Sequence, residues 1–265
     1  MKGKKNMIPK IIHYCWFGGN PLPDLAKKCI DSWKKFCPDY EIIEWNELNY
    51  DVTKCAYLKE AYHAKKWAFV SDYARFDILY NYGGLYFDTD VELIESIEDI
   101  VSEGPFMGCE PTNLQKEKYG VGSIASGLGI GSPAHLSFYK EILTSYETDH
   151  FILKDGSYNL KTVVHRVSEI IGDFDYSKNE IQVVKGIRIY PADYFCPLDY
   201  YTGELNITSN TRSIHHYTAS WHDKKEKYYY EIEKKFRKKY GEKLGYRIYR
   251  FYSLPFRISR KLKKY

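Results

Sequence analysis

Two aspartates one residue apart, Asp88 and Asp90, are the side chains of this chain best suited to chemistry. They follow the short apolar run 85–87, which is typical of a buried strand. Side chains alternate along an extended segment, so both carboxylates face the same side and can reach one ion. Carboxylate oxygens suit a hard divalent cation, and the phosphates of a nucleotide can supply its remaining ligands. The pair therefore predicts a metal-diphosphate site.

The pair is informative only in its context. The chain contains 16 Asp, and a second Asp-x-Asp occurs at Asp173-Phe174-Asp175; about one such pair is expected by chance. Two alternatives stay open for Asp88 and Asp90. One is a polar strand end that faces solvent. The other is the motif of haloacid-dehalogenase-type phosphatases, with Asp88 as nucleophile, although that motif normally opens its fold and here a β-α-β unit and two helices precede it.

Asp72 and Arg75 lie upstream, in a segment whose pattern predicts a helix. Residues three apart are neighbours on a helix surface, so the two side chains can form an ion pair. A purely structural buried pair is one interpretation. The functional one gives Arg75 a phosphate or sugar oxygen and Asp72 a sugar hydroxyl.

Two further segments carry groups that can bind a nucleotide. The late segment with His215-His216, Ser220 and Trp221 can close over the site, adding an imidazole to the metal and a hydroxyl or indole donor to a phosphate. Trp16, in a turn-rich loop, can stack on a nucleobase. Structural histidines and a packed tryptophan are the alternatives.

The hydrophobic pattern predicts an α/β domain that begins with a β-α-β unit. Ile8–Tyr14 and Tyr40–Trp45 are predicted strands on either side of a helix from Asp24 to about Phe36. Ligands bind beyond the carboxyl ends of such strands. The segment from Trp67 is apolar nearly all round, so its helix is expected in the middle of the domain. Further predicted elements are helices at about Ala56–Lys65, Pro133–Tyr146 and Leu160–Ile171, and strands at Leu85–Phe87, Pro105–Cys109, Ile181–Val184 and Ile187–Tyr190.

Composition bounds the class of protein. With 44% hydrophobic and 17% aromatic residues, the chain can bury a full core as one domain with a small appendage. The six cysteines lack CxxC spacing, which argues against a zinc cluster or a disulfide scaffold and favours reduced, mostly buried thiols. We expect neither a signal peptide nor a transmembrane helix.

Charge divides the chain into a domain of residues 1–222 and an appendage of residues 223–265. From Lys224 onward there are 16 Lys and Arg against 4 Glu, a net +12, and the rest carries −8. In the appendage, Tyr229, Ile232, Phe236 and Tyr240 recur at helical spacing among basic residues, and Gly241 and Gly245 are expected to break the helix. This basic amphipathic pattern predicts contact with an anionic membrane surface. The alternative is a solvated helical cap; no nucleic-acid-binding motif accompanies the charge.

Taken together, these motifs resemble the DXD sugar-transferase group, which includes bacterial capsular-polysaccharide transferases, yeast initiating α-mannosyltransferases and, more distantly, glucosylating clostridial toxins. The resemblance covers most of residues 8–221. It is most specific in the middle block. The blocks that carry it are Ile8-Pro9-Lys10-Ile11-Ile12-His13 with Trp16-Phe17-Gly18, Ser71-Asp72-Tyr73-Ala74-Arg75, Tyr82-Gly83-Gly84-Leu85-Tyr86-Phe87-Asp88-Thr89-Asp90, and His215-His216 with Ser220-Trp221.

The resemblance implies a GT-A fold, a nucleotide-sugar donor, a Mn²⁺ or Mg²⁺ ion and retention of anomeric configuration. It also implies roles for single residues: Trp16 stacks on the base, Asp72 and Arg75 hold sugar and phosphate, Tyr86 lines the nucleoside pocket, Asp88 contacts ribose or metal, Asp90 and His216 bind metal, and Ser220 with Trp221 holds the diphosphate. The chain departs from the family pattern near Gly127, where Ser-Gly replaces an Asn that often contacts sugar in relatives.

The sequence thus predicts a metal-dependent retaining glycosyltransferase in capsular or surface polysaccharide synthesis. A UDP-sugar is the favoured donor and a GDP-sugar the alternative, the acceptor is a glycan or lipid-linked glycan, and no side chain stands out as a nucleophile. The expected location is cytoplasmic, peripheral on the inner membrane face. The non-enzymatic alternative is a membrane-associated carbohydrate-binding protein.

Overall fold

The computed structural model describes residues 7–111, 124–200, 202–218 and 224–262. Contacts divide the chain into two compact units. The first comprises the chain up to Pro197 together with Ile207–His216, and the second comprises Leu198–Asn206 and the chain from Tyr217 onward. The predicted boundary between residues 222 and 223 falls within 219–223, outside the described residues.

The first unit is built of short strands and helices in mixed order, and the predicted α/β class is confirmed. Its strands are β1 (Ile11–Cys15), β2 (Glu41–Trp45), β3 (Gly84–Tyr86), β4 (Val91–Leu93), β5 (Phe106–Gly108), β6 (Ile130–Ser132), β7 (Gln182–Val184), β8 (Ile187–Tyr190) and β9 (Ser213–His215). Its helices are α1 (Asp24–Phe36), α2 (Ala56–His63), α3 (Trp67–Tyr82), α4 (Glu98–Ser102), α5 (Ser137–Glu147), α6 (Val163–Ile171) and α7 (Ala192–Phe195).

Seven of these strands form one mixed sheet in the order β2-β1-β3-β6-β5-β8-β7. Strand β1 pairs in parallel with β2 and with β3, so that Ile12 lies opposite Ile42 and Leu85. Strand β6 is antiparallel to both of its neighbours. The carboxyl ends of β1, β2 and β3 therefore meet at one edge of the sheet. Strands β4 and β9 form a separate antiparallel pair.

Helix α3 lies in the middle of the first unit, as its nearly continuous apolar surface predicts. Eight of its residues are buried, among them Val70, Phe76 and Leu79. The helix ends at Gly83, whose φ is +65°. A Cβ on the next residue, Gly84, would lie 2.7 Å from the carbonyl oxygen of Ile11. Only glycine permits this tight turn from α3 into β3.

The long predicted elements are confirmed, whereas three of the six three-residue strands were missed. Strands β1 and β2 and helices α1, α2 and α3 agree with prediction to within three residues. Strands β4, β6 and β9 were not predicted. All six cysteines are free thiols, and five of them are buried.

The second unit is mainly helical, as predicted for the basic appendage. Its helices are α8 (Lys224–Tyr240), α9 (Glu242–Tyr252) and α10 (Leu254–Leu262). Gly241 separates α8 from α9, as expected. The predicted break at Gly245 is wrong, because Gly245 lies inside α9. Within the described residues, no helix combines the length and apolarity needed to cross a membrane.

Candidate active site

Two of the predicted donor residues, Trp16 and Asp88, lie beyond the shared carboxyl edge of β1, β2 and β3. Trp16 comes directly after β1, and its backbone amide donates to the carbonyl of Trp45, the last residue of β2 (2.9 Å). The indole of Trp16 is half-buried and donates to the carbonyl of Asn20 at 2.6 Å. Asp88 follows β3 at the same edge. The topology therefore places Trp16, predicted to stack on the base, and Asp88, predicted to contact ribose or metal, beyond one edge of the sheet.

Arg75 is the centre of a charged cluster. Its guanidinium is 4% exposed and lies 3.0 Å from Asp72 and 3.2 Å from Asp88. The Asp88 oxygen that Arg75 contacts is Oδ1, and the hydroxyl of Tyr86 donates to this same oxygen at 3.0 Å. Four predicted residues, one pair from a helix and one from a strand end, are thus joined through direct contacts. The Asp72–Arg75 pair is observed as predicted.

The remaining donors of Arg75 are also used. Its Nη1 donates to the hydroxyl of Ser126 at 3.2 Å, its Nε donates to the carbonyl of Ser71 at 3.2 Å, and its guanidinium carbon lies 4.9 Å from the centre of the Tyr86 ring. Ser126 is completely buried. Ser126 was not predicted as a site residue, and the departure from the family pattern at Ser126-Gly127 was the only signal that pointed to it.

The cluster fixes the ionisation of its members. Burial raises the pKa of Asp72 to about 6, although the charge of Arg75 lowers it. Burial lowers the pKa of Arg75, but the charges of Asp88, Tyr86 and Asp72 raise it above its usual value. Burial raises the pKa of Tyr86 well above its usual value, helped by charge from Asp88. Arg75 therefore stays a cation and Tyr86 stays a hydrogen-bond donor.

Gly127 has no room for a side chain. A Cβ there would lie 1.9 Å from Oδ2 of Asp88 and 3.2 Å from Nη1 of Arg75. The carbonyl of Gly127 accepts the backbone amide of Asp88 at 3.0 Å. The backbone carbonyl of Gly127 therefore helps to fix Asp88, and the missing side chain at Gly127 leaves space for the Asp88 carboxylate.

Strand pairing brings the late histidines to the acidic segment. Val91 in β4 lies opposite His215 in β9. Nε2 of His215 lies 3.2 Å from Oδ1 of Asp90. Burial lowers the pKa of His215, but the charge of Asp90 and its hydrogen bond raise it well above the usual value.

His216, the predicted metal ligand, has a different partner. Its backbone amide donates to the carbonyl of Asp90 at 2.9 Å, but its Nε2 lies 2.8 Å from Oε2 of Glu92. Glu92 is also paired with Lys28 at 3.0 Å. The structure thus places His215, rather than His216, against a carboxylate of the Asp-x-Asp, and the metal-binding role of His216 stays a prediction.

The donor set suits a divalent cation bound jointly with a ligand. Asp88 and Asp90 offer the oxygen atoms that Mn²⁺ and Mg²⁺ accept. Across the part of the chain that the structure describes, no three His, Cys, Asp or Glu side chains form a ready cluster for a metal. The phosphates of a bound nucleotide can supply further ligands. The predicted residues Ser220 and Trp221 lie outside the described residues.

A buried histidine that was not predicted supports the turn before the acidic segment. His13 is fully buried; its Nδ1 accepts the indole N–H of Trp45 at 3.0 Å, and its Nε2 lies 2.9 Å from the carbonyl of Gly83. Because Nδ1 accepts, Nε2 carries the proton and donates. Burial lowers the pKa of His13 to about 4, so the ring stays neutral.

The fold and site define an α/β protein with an acidic Asp-x-Asp held by a buried arginine at the carboxyl edge of its sheet. Residues 23–107 match the family described as "glycosyltransferase sugar-binding region containing DXD motif". This segment runs from α1 into β5 and includes Asp72, Arg75, Asp88 and Asp90. This match confirms the resemblance to the DXD sugar-transferase group for the two middle blocks, which lie within residues 23–107.

Two relatives come from Schizosaccharomyces pombe. Inositol phosphoceramide mannosyltransferase 1 is 22% identical over 203 residues, which are 72% of this chain and 58% of the relative. Inositol phosphoceramide mannosyltransferase 3 is 31% identical over 106 residues, 36% of this chain and 27% of the relative. The chain thus spans less than two thirds of either relative.

Two solved glycosyltransferase structures match part of this chain. The PaToxG glycosyltransferase matches with a TM-score of 0.44 and 15% identity, over 63% of this chain and 68% of its own. A glycosyltransferase involved in glycosylation of the major capsid of PBCV-1 matches with a TM-score of 0.44 and 13% identity, over 80% and 95%.

Proposed function

We propose that this protein is a metal-dependent, retaining glycosyltransferase of the GT-A type. It moves a sugar from a nucleotide-diphosphate sugar, with UDP favoured over GDP, to a glycan or lipid-linked glycan. The observation that carries the proposal is the shared contact of Arg75 with Asp72 and Asp88, immediately before Asp90, within the segment that matches the DXD family. No side chain is assigned as a nucleophile.

The charged cluster orients the groups that would meet the donor. Asp88 is 31% exposed, whereas Arg75 is 4% exposed, so the carboxylate reaches outward while the guanidinium beneath it fixes its direction. Tyr86 donates to the same oxygen as Arg75 and so restricts rotation of the carboxylate. Asp72, 13% exposed, can accept a sugar hydroxyl. Groups fixed before binding need no reorganisation when the donor arrives.

Asp88 and Asp90 are the residues that would hold the cation, with His216 as the predicted third ligand and His215 directing the Asp90 carboxylate. When bound, Mn²⁺ or Mg²⁺ neutralises negative charge that develops on the departing diphosphate. The acceptor hydroxyl gives its proton to the leaving phosphate, so the chain needs no general base. Ser220 and Trp221 remain proposed diphosphate contacts, and Trp16 remains the proposed base-stacking residue.

The names of the relatives favour one acceptor class. Both are mannosyltransferases of inositol phosphoceramide, a lipid-linked molecule. This supports the lipid-linked alternative for the acceptor and a hexose as the transferred sugar. A role in capsular or surface polysaccharide synthesis and a location on the cytoplasmic face of the inner membrane are further parts of the proposal.

The test is sugar release from a panel of UDP- and GDP-sugars with and without Mn²⁺. We expect release that depends on the metal and on one donor. Asp90→Asn should slow release by about a hundredfold or more, because a carboxylate ligand is lost. The matched control is Asp173→Asn, which makes the same change in the exposed second Asp-x-Asp and should leave release unchanged.

Other outcomes identify the alternatives. Hydrolysis of an aryl phosphate that is lost in Asp88→Asn would establish the phosphatase. Carbohydrate binding that survives Asp90→Ala, with no metal-dependent nucleotide binding, would establish the non-catalytic protein. In the structure, Asp88 is already engaged by Arg75 and Tyr86, which does not favour a free nucleophile.

A further inference from the structure

The second unit contains a tightly packed helical hairpin. A Cβ on Gly245 of α9 would lie 2.4 Å from the carbonyl oxygen of Phe236 in α8, so the two helices touch backbone to backbone there. Beside it, Arg237 is 5% exposed, pairs with Glu233 at 2.8 Å and lies over the ring of Tyr246. Gly245 thus serves close packing, which explains why it does not break α9.

Two of the residues predicted to face a membrane, Tyr229 and Phe236, pack inside the appendage. Tyr229 of α8 stacks on Phe256 of α10, with ring centres 4.1 Å apart. Phe236 packs edge-on against Tyr252 of α9. Two of the four residues that the sequence pattern singled out on α8 therefore pack against other helices of the appendage, whereas Tyr240 is 41% exposed.

A different apolar stripe faces outward. Leu244, Phe251 and Ile258 are seven residues apart, and they are 54%, 84% and 49% exposed. Leu254 lies between them and is 47% exposed. Amides of Ser253 and Arg257 donate to residues four positions earlier, so the helical repeat continues from α9 into α10. Residues seven apart on a helix share one face. We call these four residues the outer stripe.

Basic side chains surround the outer stripe. Lys243, Arg247, Arg250 and Arg257 are exposed, and residues 243–258 contain no Asp or Glu. Two copies of this surface would repel each other if they met face to face. A surface with both apolar and basic groups suits the boundary between anionic lipid headgroups and acyl chains.

We infer that the outer stripe docks on an anionic lipid surface, with Phe251 in the interface and Arg247 and Arg250 against headgroup phosphates. The inference specifies which surface would give the proposed membrane location, and it does not depend on the transfer reaction. Apolar insertion and basic contacts each contribute to binding, and two such signals together give stable attachment.

The experiment is cosedimentation of the full chain with phosphatidylcholine vesicles that contain or lack phosphatidylserine. No nucleotide or acceptor is present, so the result is independent of the proposed transfer activity. We expect binding only to the anionic vesicles, weakened about tenfold in Phe251→Ser because apolar surface is removed. Arg247→Glu with Arg250→Glu should weaken it by about tenfold or more, most strongly at low salt.

Matched controls lie in the first unit. Leu48→Ser removes a leucine that is 95% exposed, and Lys27→Glu with Lys34→Glu makes the same charge change on α1. Both should bind like wild type, and circular dichroism should be unchanged in every variant. Equal loss in the controls, equal binding to neutral vesicles, or unaltered binding of Phe251→Ser would overturn the inference. So would self-association or RNA binding that requires Phe251 without binding to vesicles.

Discussion

The two Asp-x-Asp segments of this chain share their spacing and differ in everything around it. At Asp88-Thr89-Asp90, the first carboxylate contacts a buried Arg75 and the second lies beside His215. At 173–175, Asp175 accepts the amide and hydroxyl of Ser177, at 2.9 and 2.6 Å, in an exposed turn. These hydrogen bonds lower the pKa of Asp175 and close a turn between α6 and β7.

The difference shows what turns a common pair into a candidate site. The first segment follows a buried strand at the carboxyl edge of parallel strands and has a cation packed beneath it. The second is satisfied by its own neighbours and faces water. Residue types and spacing are equal, so position in the sheet and buried partners decide the chemistry.

The strongest test of this difference removes the cation. Arg75→Met leaves Asp72 and Asp88 without their buried partner, and we expect the free energy of unfolding to fall by about 3–5 kcal/mol. Urea denaturation measures the change. The matched control is Arg188→Met, because Arg188 is 33% exposed and paired with Glu103 at 2.8 Å; it should cost less than about 1 kcal/mol. Equal losses of stability in the two variants would mean that the buried cluster around Arg75 stabilises the fold no more than an exposed ion pair does.

A second test uses pH, because the turn before Asp88 depends on neutral His13. Its pKa is about 4 in the folded state and about 6.5 when unfolded. The unfolded chain takes up the proton first, so this stability is complete above pH 6.5 and is lost as pH falls toward 4. The loss should be about 3 kcal/mol. Urea titrations at several pH values measure it, and an equal slope in His13→Gln would contradict the assignment.

A third test fills the space beside Asp88. Gly127→Ala places a methyl group where Oδ2 of Asp88 lies, so we expect a loss of about 1–3 kcal/mol in stability and slower sugar release. The control is Gly172→Ala, where φ is +78° and no atom lies within 4 Å of the added Cβ. That variant meets backbone strain alone and should keep its activity. Unchanged sugar release in Gly127→Ala would show that the Asp88 position is not critical.

The smallest effect is expected at the second segment. Asp175→Ala removes only an exposed turn contact. The melting temperature of this variant should therefore fall less than those of Arg75→Met, His13→Gln and Gly127→Ala, and its sugar release should stay at the wild-type level. Differential scanning calorimetry and the donor assay measure both. A loss of activity comparable to that of Asp90→Asn would remove the distinction between the two segments.

Local sequence patterns predicted the longest elements of the first unit and the part of its site that contains Asp72 and Arg75. Helix α3 and the β1-α1-β2 unit are long enough for their periodicity to show, and the i, i+3 spacing of Asp72 and Arg75 already implied their contact. Strands β4, β6 and β9 have three residues each and, unlike the predicted strand β3, are not marked by a continuous apolar run. Their existence depends on partners far away in sequence.

The contacts missed in the site have the same origin. His215 meets Asp90 only because β9 pairs with β4 in one register, and a shift by one residue would exchange the two histidines. Ser126 reaches Arg75 through the chain before β6, and His13 is defined by Trp45 and Gly83 together. In the appendage, the residue type of Gly245 alone predicts a helix break. Its contact with α8 shows that it instead permits close helix packing.

The pairing of β4 with β9 also determines when the site can form during synthesis of the chain. His216 and Glu92 are 124 positions apart, yet their side chains touch. A ribosome adding about 5–20 residues per second needs on the order of ten seconds to pass from one to the other. During that interval the acidic segment exists without its histidines. The site is therefore completed among the last events of synthesis of the first unit, after most of the sheet is already available to fold.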